Sequence, residues 1–151
     1  MGYRICRIPG DGIGHDVMKA AMVVMDKIPI DVEWVDAEAG WCMWEKYHNT
    51  VPEDTWKALK SADCCLFGAI TSRPGIKGFL SAILQIRQNF DLYINMRPFK
   101  SFEGVPLNYR DDIDMVIFRE NSEGLYSGVE FYPTPEEFYG LHERMERFRG
   151  K

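Results

Sequence analysis

The stretch RIPGDGIGHDV, Arg7 to Val17, decides how the chain is read. Before it, YRICRI (Tyr3–Ile8) alternates as a strand does; after it, Val17, Ala20, Ala21, Val24 and Ile28 recur at helical spacing over His15–Ile28. Glycines at 10, 12 and 14 each destabilise regular structure unless the backbone needs a positive φ or a close approach. They make G-x-G-x-G, one residue short of the G-x-G-x-x-G of a Rossmann turn. Asp36 and Glu38 lie roughly where a ribose-binding acid would stand, which is weak support by itself. The residues leave three readings open: a plain strand-to-helix turn, a Rossmann loop, or a loop from another nucleotide-using fold.

Outward from this loop the pattern repeats. Ile30 to Val35 alternates as a strand with one buried face, and WCMWEKYH after Gly40 reads as a short helix. Pro52 sits where a first helical turn tolerates it, with Glu53 and Asp54 favourable at the N-terminus of a helix running to about Ser61. DCCLFGAI is a short apolar run of the kind buried parallel strands show. Strand, helix, strand, helix, strand predicts an α/β layer architecture with a mostly parallel sheet. Beyond the Gly/Pro loop TSRPGIKG come a helix from Phe79 to about Asn89, a strand in DLYINMRPF, a polar connector over Lys100–Asp112, a strand in IDMVIFRE, and a helix over Thr134–Arg149. The composition shift divides the chain into 1–99 and 100–151, and the second part offers too little to bury a core by itself.

With 46% hydrophobic and 27% charged residues the composition is that of a globular protein, not a disordered one. A net charge of −5 argues against a general nucleic-acid surface, while a local cationic pocket for an acidic metabolite stays open. No apolar run approaches the roughly 20 residues of a membrane span, and Arg4 and Arg7 interrupt any signal-peptide core. Cys6, Cys42, Cys64 and Cys65 fit no zinc spacing, so buried reduced thiols in a cytoplasmic protein are expected.

Arg87, Arg97 and Arg119 each stand at the edge of an expected element, and arginine forks match carboxylates bidentately. Converging, they would suit a di- or tricarboxylic acid; scattered, they would be ordinary surface ion pairs. Tyr126 reads equally as a proton donor or as the edge of an amphipathic core.

Four segments occur in order: IPGDGIGHDV, FGAITS, LQIRQNFDLYINMRP and DMVIFRENSEGLYSG. Together they resemble the β-decarboxylating dehydrogenases, the isocitrate, homoisocitrate and 3-isopropylmalate dehydrogenases, over Tyr3 to about Glu130. The resemblance implies that family's layered α/β fold, not a Rossmann fold, incomplete in this chain: 1–99 as part of the large domain and 100–151 as the start of the small one. It implies oxidation of a 2-hydroxy acid by NAD or NADP, with NAD favoured, then loss of the β-carboxylate with Mg²⁺ or Mn²⁺. Arg87, Arg97 and Arg119 match the arginines that hold the malate part of the substrate, and Tyr126 the tyrosine that helps protonate the enolate. Ile13 matches a position against the adenine side of the cofactor, and Ala69, Ile70, Thr71 and Ser72 the segment near the nicotinamide.

Substrate choice in the family is set just before the first arginine. Ser81 matches the serine that isocitrate-type enzymes use toward the γ-carboxylate, whereas the apolar pair Ile83 and Leu84 would suit isopropylmalate. RENSEGLY and AEAGW resemble the isocitrate and homoisocitrate branch, which is favoured, with isopropylmalate second. The family's catalytic lysine, metal-binding aspartates and adenine-binding loop match nothing here, so no metal ligand is expected in this chain and the chain by itself is expected to be inactive. A homo-oligomer or a complementary chain is expected to complete it. A non-catalytic binding or regulatory remnant is the alternative from another class.

Overall fold

The computed structural model describes residues 2–73, 75–127 and 131–149. The chain divides into two compact units, Met1–Leu92 and Tyr93–Lys151.

The first unit is built from β1 (Tyr3–Gly10), α1 (Gly14–Met25), β2 (Val32–Asp36), α2 (Trp41–Tyr47), α3 (Glu53–Ser61), β3 (Cys64–Ala69) and α4 (Ala82–Asn89). Its sheet is parallel throughout, in the order β2-β1-β3, with Cys6 facing Val35 on one side and Cys65 on the other. Placing β1 in the middle makes it the best-buried strand, and alternation sends its side chains two ways. Cys6 and Ile8 face a core of Ala39, Val51, Leu59, Ala82 and Ile86, drawn from the α3 and α4 side. Arg7 and Pro9 point the other way, into a groove beside α1. The expected buried strand at 64–69 is half-buried instead, because β3 is an edge of this sheet.

The glycine loop is dictated by how closely β1 passes β3. Gly10 has φ +82°, and a Cβ there would collide with the carbonyl oxygen of Ala69. A Cβ on Gly14, at the first turn of α1, would collide with the carbonyl of Pro9. Backbone contact this tight leaves room only for hydrogen.

Two helices are shorter than their periodicity suggested. α1 stops at Met25, and α4 starts at Ala82, which leaves Phe79 in the preceding loop, where it packs tilted against Trp41 and edge-on against Trp44 with centroids 5.7 and 5.4 Å away. Aromatic packing outside the helix satisfies the apolar residue that seemed to begin it. The cysteines also depart from a uniformly buried set: all four are free, but only Cys6 is buried, and Cys64 is exposed at the start of an edge strand.

The second unit contains β4 (Ile94–Lys100), β5 (Asp114–Glu120), a 3₁₀ turn at Gly124–Tyr126 and α5 (Glu136–Arg149). β4 and β5 form an antiparallel ribbon with Arg97 opposite Ile117 and Asn95 opposite Arg119. The compact units meet at Leu92/Tyr93 because β4 runs through Pro98 and pairs along its whole length with β5. A two-stranded ribbon tolerates that proline because each strand has a free edge.

Candidate functional site

In the first unit, the segment after β3 and the start of α4 come together. Ala69 closes β3, its carbonyl accepting from the backbone N–H of Asp11 at 2.7 Å. Ile70 is half-buried against the core, while Thr71 and Ser72 are exposed. The Ser72 and Ser81 hydroxyl oxygens lie 3.5 Å apart, so the segment expected near the nicotinamide adjoins the serine expected to choose the substrate. Ser81 precedes α4 with an extended backbone and no capping bond from its own side chain, so its hydroxyl meets Ser72 instead. Arg87 lies in the last turn of the same helix, half-buried. The next two residues of interest, Ile83 and Leu84, are half-buried and exposed respectively.

Ile13 is 70% exposed just before α1 and, with Val17, Met18, Ala21, Leu66, Phe67, Gly68 and Ala69, lines a groove of about 270 Å³. That is below the range of about 300–1,000 Å³ typical of a whole ligand pocket, and its lining is apolar. A larger groove of about 480 Å³ between β2 and α3 is lined by Asp36, Glu38, Glu53 and Asp54. Four carboxylates there disfavour an acidic ligand, so its size does not make it the substrate site.

Asp11, which the sequence reading passed over, holds this region together. Its carboxylate accepts from the backbone N–H of Trp41 at 2.7 Å, Cys42 at 2.8 Å and Thr71 at 2.9 Å, and the residue is only 8% exposed. Burial pushes its carboxyl upward, but the N–H groups of Cys42, Thr71 and Trp41 together outweigh that and hold it below its ordinary value. The neighbouring Cys42 thiol is pushed up to about 11, first by burial and then by the Asp11 carboxylate. An acid between two glycines was visible in the sequence; its partners, 30 and 60 residues away, were not. Arg73 was also missed. Its guanidinium stacks 4.3 Å over the Trp41 ring.

In the second unit, Arg119 stands one residue from the end of β5, while Arg97 lies within β4, which continues past it to Lys100. The antiparallel register puts both on one face, since Arg119 opposes Asn95 and Arg97 is two residues further along the same strand. Diagonal neighbours of this kind are roughly 7–8 Å apart. Arg97 donates to Asn95 Oδ1 at 3.0 Å, and the Arg119 guanidinium lies 5.0 Å over the Tyr126 ring. Among the described residues neither guanidinium forms an ion pair with a carboxylate, whereas Arg4, Arg7 and Arg110 do. The turn that returns Tyr126 to Arg119 is set by Glu120, which accepts from the N–H groups of Ser122 and Glu123, both at 2.6 Å. Those bonds, Glu123 first, hold its carboxyl below the usual range.

Among the described residues no group of three or more His, Cys, Asp and Glu side chains is placed to hold a metal ion. No helix among them is long and apolar enough to cross a membrane.

Comparison with known proteins gives the same family from three directions. Residues 4–141 match the family model described as isocitrate/isopropylmalate dehydrogenase. An isocitrate/homoisocitrate dehydrogenase of Thermus thermophilus is 48% identical over 127 residues, 83% of this chain and 37% of that protein. A 3-isopropylmalate dehydrogenase of Methanothermobacter thermautotrophicus is 42% identical over 133 residues, 88% of this chain and 38% of that protein. The crystal structure of isocitrate dehydrogenase from Methylococcus capsulatus superposes with a TM-score of 0.79 at 36% identity, covering 89% of this chain and 39% of that one. The fold is therefore isocitrate dehydrogenase-like, and the chain spans well under half the length of these relatives.

Proposed function

From a chain that belongs to the isocitrate/isopropylmalate dehydrogenase family, we propose that it supplies the arginine wall and one edge of the cofactor cleft for NAD(P)-dependent oxidative decarboxylation of a 2-hydroxy di- or tricarboxylic acid. Isocitrate or homoisocitrate is the favoured substrate and NAD the favoured cofactor. The observation that carries this reading is the pair Arg97 and Arg119, on one ribbon face and without a carboxylate partner among the described residues. An unpaired arginine fork is the group that grips a carboxylate bidentately.

In this reading Arg97 and Arg119 bind carboxylates of the acid, with Asn95 steering the Arg97 fork through their shared hydrogen bond. Arg87 contributes a third guanidinium from α4. Tyr126, packed against the Arg119 guanidinium, delivers a proton to the carbon that has lost its carboxylate. Ser81 meets the part of the substrate that differs between the three acids. Ile13 and Ala69–Ser72 hold one end of the nicotinamide cofactor, which when bound supplies the oxidant for the alcohol. The Mg²⁺ or Mn²⁺ that the resemblance implies would polarise the carbonyl of the oxidised substrate, and none of the residues given a role here is assigned to hold it.

Isopropylmalate is the second reading, favoured by the apolar Ile83 and Leu84 beside Ser81, with Leu84 38% exposed. Steady-state kinetics with the three acids, on protein made from the complete natural reading frame, separate the two. Isocitrate or homoisocitrate is expected to give the highest kcat/KM. In the same protein Arg97→Lys is expected to raise KM, lower kcat, and cut kcat/KM by about tenfold or more, because an ammonium cannot reproduce a two-pronged contact. Unchanged kinetics for Arg97→Lys would remove the arginine wall.

A further inference from the structure

We propose that Asp11 is a positioning residue for the cofactor: its carboxylate clips the glycine loop, the segment Ala69–Ser72 and the start of α2 into one unit, and so fixes where that segment presents itself to the bound dinucleotide. The inference rests on the functional reading above, which makes Ala69–Ser72 a cofactor edge.

The geometry is specific. β3 ends at Ala69, and beyond it no ladder holds the chain. What holds it is a reciprocal pair of bonds with one residue: the Asp11 N–H donates to Ala69 O at 2.7 Å, and the Thr71 N–H donates to Asp11 Oδ2 at 2.9 Å. The same Oδ2 takes the Trp41 N–H, and Oδ1 takes that of Cys42. Each of the three bonds to the carboxylate joins a buried charged acceptor to a backbone donor, the kind that is costly to leave unmade. Gly40 allows the approach, since with φ +116° its missing side chain would collide with the Asp11 carboxylate. The clip extends one step further, because Trp41 carries Arg73 on its ring face, so both sides of Ser72 are tied to the residue that Asp11 holds. Segment 69–73 is thus held at Ala69 and Thr71 by Asp11 and at Arg73 by Trp41.

Asp11→Ala removes every acceptor at once and frees Thr71. Asp11→Asn keeps one carbonyl oxygen, able to replace Oδ2 for Thr71 and Trp41, and loses the bond to Cys42. Thr55→Val is the control: Thr55 is buried and its hydroxyl donates to Glu38 O at 2.6 Å, three residues before Trp41, so it weakens the same unit without removing any bond to Asp11 or to segment 69–73. On protein from the complete natural reading frame, Asp11→Ala is expected to raise the cofactor KM about tenfold or more and leave the hydroxy-acid KM within about twofold, since misplacement of ~1 Å away from the chemistry can cost about a hundredfold. Asp11→Asn is expected to recover most of that loss, and Thr55→Val to leave the cofactor KM unchanged. If Asp11→Ala does not yield folded protein, Asp11→Asn must still show a cofactor KM above that of Thr55→Val, or the inference fails. It also fails if Thr55→Val shifts the cofactor KM as much as the Asp11 variants, or if both substrates' KM values move together. A parent protein that turns over none of the three acids would instead sink the functional reading, and this inference with it.

Discussion

The Asp11 carboxylate lies buried in the glycine loop, the residue only 8% exposed. Asp11 is ionised where burial opposes ionisation, because three N–H donors converge on it. Its pKa in the folded chain is therefore lower than in the unfolded chain, where an aspartate titrates near ~3.9. A depressed folded value means the unfolded state takes up the proton first as pH falls. The stabilisation from Asp11 is thus complete above about pH 4–5 and is lost as pH drops through the folded value. Urea midpoints measured from pH 7 down to pH 3 are expected to fall less steeply for Asp11→Asn than for the parent. At pH 7 the variant is expected to be less stable by about 1–3 kcal/mol, the cost of leaving buried donors unmade. Parallel pH curves for the two proteins would show that Asp11 is not held as the carboxylate.

At the scale of elements, the glycine loop shows that identical residues can be required for different reasons. Gly10 combines φ +82° with a carbonyl in the way of any Cβ; Gly12 has φ +52° and open space around it. Gly12→Ala therefore carries only the left-handed strain, roughly 1–2 kcal/mol. Gly10→Ala carries that strain plus displacement of β1 from β3, an overpacking cost of about 1–3 kcal/mol more. Urea titrations at constant m are expected to rank Gly10→Ala below Gly12→Ala, and equal midpoints would mean that the β1–β3 approach relaxes freely. The ribbon β4–β5 makes a related point. Its hairpin register, not the sequence spacing of 22 residues between Arg97 and Arg119, puts two cations on one face.

At the scale of the whole molecule, apolar side chains stay exposed in both units. Val23, Val24 and Val17 on α1 are 65%, 62% and 47% exposed, and on the ribbon Phe118 and Met96 reach 66% and 62%. Faces of this kind call for cover by another chain or segment. The 151-residue polypeptide by itself is expected to self-associate above micromolar concentration in sedimentation experiments. It is also expected to give no reduced cofactor with NAD or NADP, Mg²⁺ or Mn²⁺ and any of the three acids, since the resemblance assigns the base and the metal ligands to segments that this chain does not match. General acid–base catalysis alone contributes about 10²–10⁴ in rate. Turnover above that of a denatured sample would show the 151 residues to be a sufficient active site.

The order and type of the elements, and the family, were legible in the sequence because both rest on local signals. Alternation at Tyr3–Ile8, helical spacing through α1, Pro52 ahead of Glu53, and four ordered motifs each need only near neighbours along the chain. What the sequence left undecided is whatever depends on which strands lie side by side. The order β2-β1-β3 makes 64–69 an edge; the β4–β5 register turns Arg97 and Arg119 to one face; and the fold brings Thr71, Trp41 and Cys42 to Asp11. Each is a backbone approach between residues far apart in the chain, and no side-chain period encodes it. Only the packing of the strands decides where a carboxylate in a glycine turn finds its donors.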